Sequence, residues 1–192
     1  LVQTIRRQRL AKNNSVPLLL HTDACQAANY LDLHVSRLGV DMMTLNGGKI
    51  YGPKQSGALF VKAGLELQPH ITGGGQESGY RSGTENVPSI IGFAAALEIV
   101  QNSRNSELKR LSALQKFWVK MLKKQIPQAH INGSLKHRLP NNIHITIPGY
   151  DNERLLIQLE QKGILAAAGS ACSASNDEPS HVLAAIGLKE SD

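Results

Sequence analysis

The chain has 192 residues, a formal net charge of +6 at pH 7 and only 4% aromatic residues. That length supports one substantial core, or one and a half domains, without staples; the two cysteines, Cys25 and Cys172, lie far apart and point to a reducing cytoplasm rather than a disulfide framework. Dispersed Lys and Arg residues and scarce aromatics argue against a nucleic-acid partner, and no apolar run approaches the ~20 residues of a membrane span.

The N-terminal stretch LVQTIRRQRLAKNN lacks the apolar core of a signal peptide, and its Ile5 to Ala11 portion reads as a helix with a basic face. A chain that opens on such a segment without Met is expected to begin inside a larger fold. Short apolar strands follow in PLLLH, VDMMTL and GALFVK, each succeeded by Gly-rich or helical sequence. That order predicts an α/β fold with a mainly parallel sheet sandwiched by helices.

From Val87 to Ile126 the apolar positions step by three and four, through Ile90, Ala94 and Leu97 and then Leu111, Leu114, Trp118 and Leu122. Two amphipathic helices are predicted, broken at the polar residues Asn102 to Asn105. Beyond Pro127 come a strand in NIHITI, a helix from Asn152 to Gln161, an Ala-rich segment and a helix after Pro179. The expected organisation is a large-domain portion over 1–110 and a small α+β domain over 111–192.

Four segments carry candidate chemistry. In HTDACQAA, residues 21–28, Asp23 directly follows an apolar strand, where open α/β sheets bind ligands; it also suits a simple cap for the next turn. In TLNGGKIYGPK, residues 44–54, Lys49 follows a second strand and a Gly-Gly turn. A phosphate-binding Walker loop is excluded, because Ile50 stands where Ser or Thr is required. A strand-end carboxylate and a strand-end amine together suit pyridoxal phosphate, which needs an amine for its aldehyde and an acid for its ring nitrogen.

The third segment, GGGQESGYRSGTENV at 73–87, offers Ser82 and Thr84 ahead of a helix start, as either a phosphate-facing loop or a surface loop. The fourth, GILAAAGSACSASNDEPSHVL at 163–183, sets Cys172 among small residues, as either a buried filler or an accessible nucleophile. Cys25 reads as filler.

In order and spacing these four segments resemble the cysteine desulfurases, within the fold type I, class V aminotransferase-like enzymes that use pyridoxal phosphate. The resemblance implies the corresponding large domain followed by the small domain, and a homodimer. It implies that Lys49 anchors the cofactor, Asp23 pairs with its ring nitrogen, Gln26 donates to its ring hydroxyl and Thr84 reaches the phosphate held by the neighbouring subunit. Cys172 corresponds to the cysteine that takes sulfur from L-cysteine as a persulfide and hands it to an acceptor protein. Iron-sulfur cluster assembly, tRNA thiolation and thiamine synthesis all remain open as destinations.

Asn46 and Gly48 stand where the family usually carries Ser and His. Asn46 keeps a hydrogen-bond donor for the cofactor, whereas Gly48 offers only backbone. The family's chains are about twice as long, and the remainder supplies a ring-stacking His, an Asn near the ring hydroxyl and an Arg for the substrate carboxylate. Cys172 needs a neighbouring base or cation to ionise at neutral pH; His181 is a candidate, a solvated surface histidine the alternative. Selenocysteine lyase and a non-catalytic scaffold subunit are the rival readings.

Overall fold

In a computed structural model, residues 2–11, 18–166 and 181–188 are described. The chain divides into two compact units, Leu1–Ser112 and Ala113–Asp192. Among the described residues, no helix is long and apolar enough to cross a membrane.

The first unit holds the helix α1 (Val2–Ala11) and a three-stranded sheet of β1 (His21–Asp23), β2 (Met42–Asn46) and β3 (Gly57–Val61), with β2 in the centre. β1 and β2 run parallel, with Asp23 opposite Thr44; β2 and β3 run antiparallel, with Asn46 opposite Gly57. The sheet is therefore mixed rather than mainly parallel in this stretch. The reason lies in the connection: only residues 47–56 separate β2 from β3, and a parallel return needs a crossover of roughly a dozen residues or more. Between β1 and β2 the longer connection includes the short helix α2 (Val35–Leu38), ended by Gly39 in the left-handed conformation at φ 67°.

Two small apolar clusters hold this unit together. Ala24, Val40 and Met43 pack under the parallel strands, and Ala28, Ile50, Phe93 and Val100 join the turns beyond them to the helix α3 (Val87–Gln125). The strand entries are tied by Asp41, nearly buried, whose Oδ2 accepts from Leu20 N at 2.8 Å.

α3 is one continuous helix, Val87–Gln125, not two. The expected break at Asn102 to Asn105 contains no Gly or Pro, and its hydroxyls bond within the helix. Ser103 Oγ donates to Ile99 O at 2.9 Å and Ser106 Oγ to Ser103 O at 2.7 Å. Such back-bonding spares the helical ladder, so a polar stretch here marks a solvated face and not a terminus. Asn86 caps the helix start, its Oδ1 accepting from Ser89 N at 3.2 Å. Gly92 lets α3 approach the Lys49 turn, since a Cβ there would lie 2.6 Å from Pro53 Cγ.

The second unit contains the last turns of α3, the antiparallel pair β4 (His130–Ile131) and β5 (Ile145–Thr146), and the helices α4 (Asn152–Gln161) and α5 (His181–Ala185). Asp151 caps α4, accepting from Arg154 N at 2.7 Å. Arg138 closes the loop between the strands: it donates to Asn132 O, to Ser134 O at 3.1 Å and to Asn142 Oδ1 at 2.7 Å.

Candidate active site

Because β1 and β2 are parallel and adjacent, their C-terminal ends lie at one sheet edge, and the chain leaves each of them through a turn. The two turns are tied twice. Ala24 N donates to Thr44 O at 2.9 Å, and Asn29 Nδ2 donates to Lys49 O at 2.8 Å. Gln101 of α3 adds a brace from behind, donating to Ala28 O and to Leu31 O.

Asp23 ends β1 with an exposed side chain, and its Oδ1 accepts from Cys25 N at 3.0 Å. The residue thus does cap its turn, but a carboxylate has further lone pairs to offer. The Cys25 thiol and then the Cys25 backbone N–H hold its carboxyl below the ordinary value, with His21 helping and slight burial opposing. Asp23 is therefore ionised at neutral pH.

Cys25 lies in the turn that follows β1. Its thiol is pushed up to about 11, first by burial, then by the hydrogen bond and negative charge of Asp23, with the Lys49 ammonium pulling the other way. Its Sγ points at Thr44 O, 3.8 Å away. The parallel register of β1 and β2 puts Asp23 and the Lys49 turn at the same edge, and the Cys25 thiol responds to the charge of each.

Lys49 closes a single 3₁₀ turn, Gly47–Lys49. Ile50 N and Gly52 N both donate to Gly47 O, at 3.1 and 2.9 Å, and the side chain of Ile50 is only 1% exposed, so the turn is anchored beneath the lysine. Glycine is required at position 47: a Cβ would lie 2.0 Å from Ser56 Oγ and 3.0 Å from two backbone oxygens. At Gly48 the only neighbour is Asn46 Oδ1 at 3.3 Å, so that position opens outward. Lys49, Gln26 and Asn46 are all exposed. Tyr51, 88% exposed, has φ 63°, a left-handed backbone conformation that bulky residues rarely adopt.

The glycine-rich loop is folded upon itself. Ser82 is buried, its N donating to Ile71 O and its Oγ accepting from Gly75 N at 3.4 Å. Gln76 Oε1 accepts from Gly83 N at 3.1 Å. Ser82 is spent inside the loop, while Thr84 stands exposed ahead of α3. Cys172 lies outside the described residues, and His181 is exposed at the start of α5.

Asn29 is the site-adjacent residue that the motif reading passes over. Its signal in the sequence is faint: a single amide within the apolar run Ala27, Ala28, Asn29, Tyr30. Buried polar side chains are almost always placed for a hydrogen bond, and this one serves Lys49.

A lysine in the turn that leaves one strand and an ionised aspartate at the end of the adjacent parallel strand form the kind of site expected of aminotransferase-like enzymes. Residues 3–188 match the family described as aminotransferase class-V, and the chain belongs to that family. It is 40% identical over 171 residues to the cysteine desulfurase IscS of Dictyoglomus turgidum, covering 89% of this chain and 43% of that protein. It is 43% identical over 173 residues to cysteine desulfurase IscS 1 of Archaeoglobus fulgidus, covering 90% and 45%. Among solved structures, a NifS-like protein superimposes with a TM-score of 0.81 at 32% identity, over 98% of this chain and 48% of that one. The NifS-like protein of Rickettsia africae gives 0.78 at 34% identity, over 89% and 44%. The chain spans less than half the length of these relatives.

The family is pyridoxal-phosphate dependent, and the donor set fits that group. Asp23 is held as the anion that a protonated pyridine nitrogen needs, Lys49 offers a solvent-facing amine from an anchored turn, and Gly48 leaves the approach clear.

Proposed function

We propose that this chain carries the cofactor-anchoring and sulfur-accepting residues of a pyridoxal-phosphate-dependent cysteine desulfurase that converts L-cysteine to L-alanine. The observation that supports it is that Asp23 ends β1 while Lys49 lies in the turn that leaves the adjacent parallel strand β2, the two turns being tied by the bonds from Ala24 N to Thr44 O and from Asn29 Nδ2 to Lys49 O.

When bound, the cofactor supplies an electron-withdrawing ring that acidifies the substrate α-carbon. The Asp23 carboxylate, held as an anion, would pair with the protonated ring nitrogen. The Lys49 amine would hold the cofactor through its aldehyde, and as a free amine would carry a proton to and from the substrate carbon. Gln26 and Asn46 donate hydrogen bonds from the two turns, and Thr84 reaches the phosphate site of a second subunit in a homodimer. The Cys172 thiolate attacks the sulfur of L-cysteine: the carbon–sulfur bond breaks, a sulfur–sulfur bond forms, and the carbon takes up a proton as alanine leaves. The persulfide then passes to an acceptor protein. A free Cys172 thiol requires a reducing compartment, and we place the protein in the cytoplasm.

The test uses the full-length protein with added pyridoxal phosphate. Wild type is expected to turn yellow and to release alanine and sulfide from L-cysteine in the presence of a thiol reductant. Lys49→Ala loses the visible band, and Cys172→Ser keeps the band but releases no sulfide. A Lys49→Ala protein that retains the band overturns the assignment.

A further inference from the structure

We infer that Asn29 is a positioning residue for Lys49, fixing the direction in which the lysine leaves its turn; this rests on the cofactor-anchoring role proposed for Lys49. Asn29 is 8% exposed, between Ala28 at 0% and Tyr30 at 7%. Its Nδ2 donates to the carbonyl of Lys49 at 2.8 Å, while its Oδ1 is buried with no hydrogen-bond partner among the described residues. An acceptor buried in that way weakens the fold, and an apolar side chain of the same size would avoid the loss. Packing alone therefore does not account for an asparagine here. The bond to Lys49 does.

That bond completes the restraint of one peptide plane. Between Lys49 and Ile50 the N–H end donates to Gly47 O at 3.1 Å, and the C=O end is held by Asn29. With both ends tied, the plane cannot rotate, and the Cα–Cβ direction of Lys49 is set. This matters because the lysine side chain is exposed and long, with several free torsions, so preorganisation can come only from its root. Asn29 also belongs to the turn that begins at Asp23. Its amide, with the bond from Ala24 N to Thr44 O, fixes the spacing between the carboxylate and the amine.

The experiment uses full-length protein carrying Asn29→Leu, which removes both amide atoms at similar size, and Asn29→Ala. In the cofactor-free protein, amide hydrogen exchange at Ile50 and Gly52 should rise about tenfold, the size of one lost hydrogen bond. Amides of Met43 and Leu45 in β2 should be unchanged, and the melting temperature of Asn29→Leu should match or exceed wild type. In the holoenzyme, the pH midpoint of the visible cofactor band should shift, and kcat should fall about tenfold with KM preserved. Exchange and pH midpoint equal to wild type in either folded variant overturn the inference, as does a uniform rise across all amides, the mark of general loosening. A wild-type protein that never turns yellow sinks the cofactor reading instead, and the exchange measurement still decides the role of Asn29.

Discussion

The two turns at the sheet edge and the loop around Arg138 are both rich in polar side chains, yet they use them in opposite ways. In the loop, side chains are consumed in holding the chain. Arg138 spends its donors on Asn132, Ser134 and Asn142, and Ser134 Oγ accepts from Lys136 N and His137 N at 3.1 and 3.2 Å. Asn132 Nδ2 donates to His144 Nδ1 and to Thr146 Oγ1, at 2.9 and 2.8 Å. At the sheet edge the backbone is held by other backbone groups, by Asn29 and Gln101 from behind and by one bond to Asp23, which leaves Lys49, Gln26 and Asn46 facing outward and most of Asp23's capacity unspent. A cluster of polar residues is therefore no mark of a site. What marks one is hydrogen-bonding capacity left over after the fold is satisfied.

The sharpest way to break that contrast is to remove one side chain from each region. Asp23→Ala is expected to cut turnover by about 100-fold, the order for withdrawing one member of a charge pair. Its cost in stability is about 1 kcal/mol, for the lost bond to Cys25 N. Alanine release and thermal melting of the holoenzyme measure the two. If Asp23→Ala melts far below wild type while turnover per folded molecule persists, the carboxylate is structural and the contrast fails.

Within the Lys49 turn, neighbouring glycines provide a second comparison. Gly47→Ala forces a Cβ against Ser56 Oγ and two backbone oxygens and should destabilise by about 3 kcal/mol, the upper range of overpacking. Gly48→Ala meets only the exposed Asn46 side chain and should stay within about 0.5 kcal/mol of wild type. Denaturant unfolding distinguishes them, and equal losses would mean that the turn is not anchored as described. Arg138→Ala, by contrast, should cost about 2 kcal/mol for three hydrogen bonds to oxygen acceptors, with the visible cofactor band unaltered.

How far the sequence foretold this arrangement depends on the range of the interactions involved. Strand ends and glycine turns are local signals, so the placement of Asp23 and Lys49 after apolar strands could be read directly from HTDACQAA and TLNGGKIYGPK. The reversal of β3 was also legible in principle, because ten residues cannot carry a crossover. The continuity of α3 was hidden, since Asn102 to Asn105 has the composition of a terminus and only the back-bonding of Ser103 and Ser106 shows that it is not one. The role of Ser82 stayed open in the sequence, between a phosphate-facing loop and a surface loop, for a related reason. Its hydroxyl turns inward because the loop doubles back through Gly75 at φ 77°, a path that composition does not encode. Asn29 was beyond reach, because its partner lies twenty residues away and across a sheet edge.

The smallest effect offers the most direct reading of the edge itself. Cys25 ionises only near 11 in the folded protein, against 9.0 for the free thiol, so the folded state holds this proton more tightly. A raised value means that the stabilising contribution is complete below about 9 and is lost as pH climbs toward 11. In a Cys172→Ser protein Cys25 is the one cysteine left among residues 1–192, and the pH dependence of alkylation by iodoacetamide, followed on the peptide that contains Cys25, reports the midpoint. Asp23→Ala should lower that midpoint, by removing a hydrogen bond and a negative charge; Lys49→Ala should raise it slightly, by removing the opposing cation. Opposite shifts from the two substitutions require both charges to act on one sulfur atom. If neither substitution moves the midpoint, the carboxylate and the amine do not share this edge, and the contrast with the Arg138 loop loses its basis.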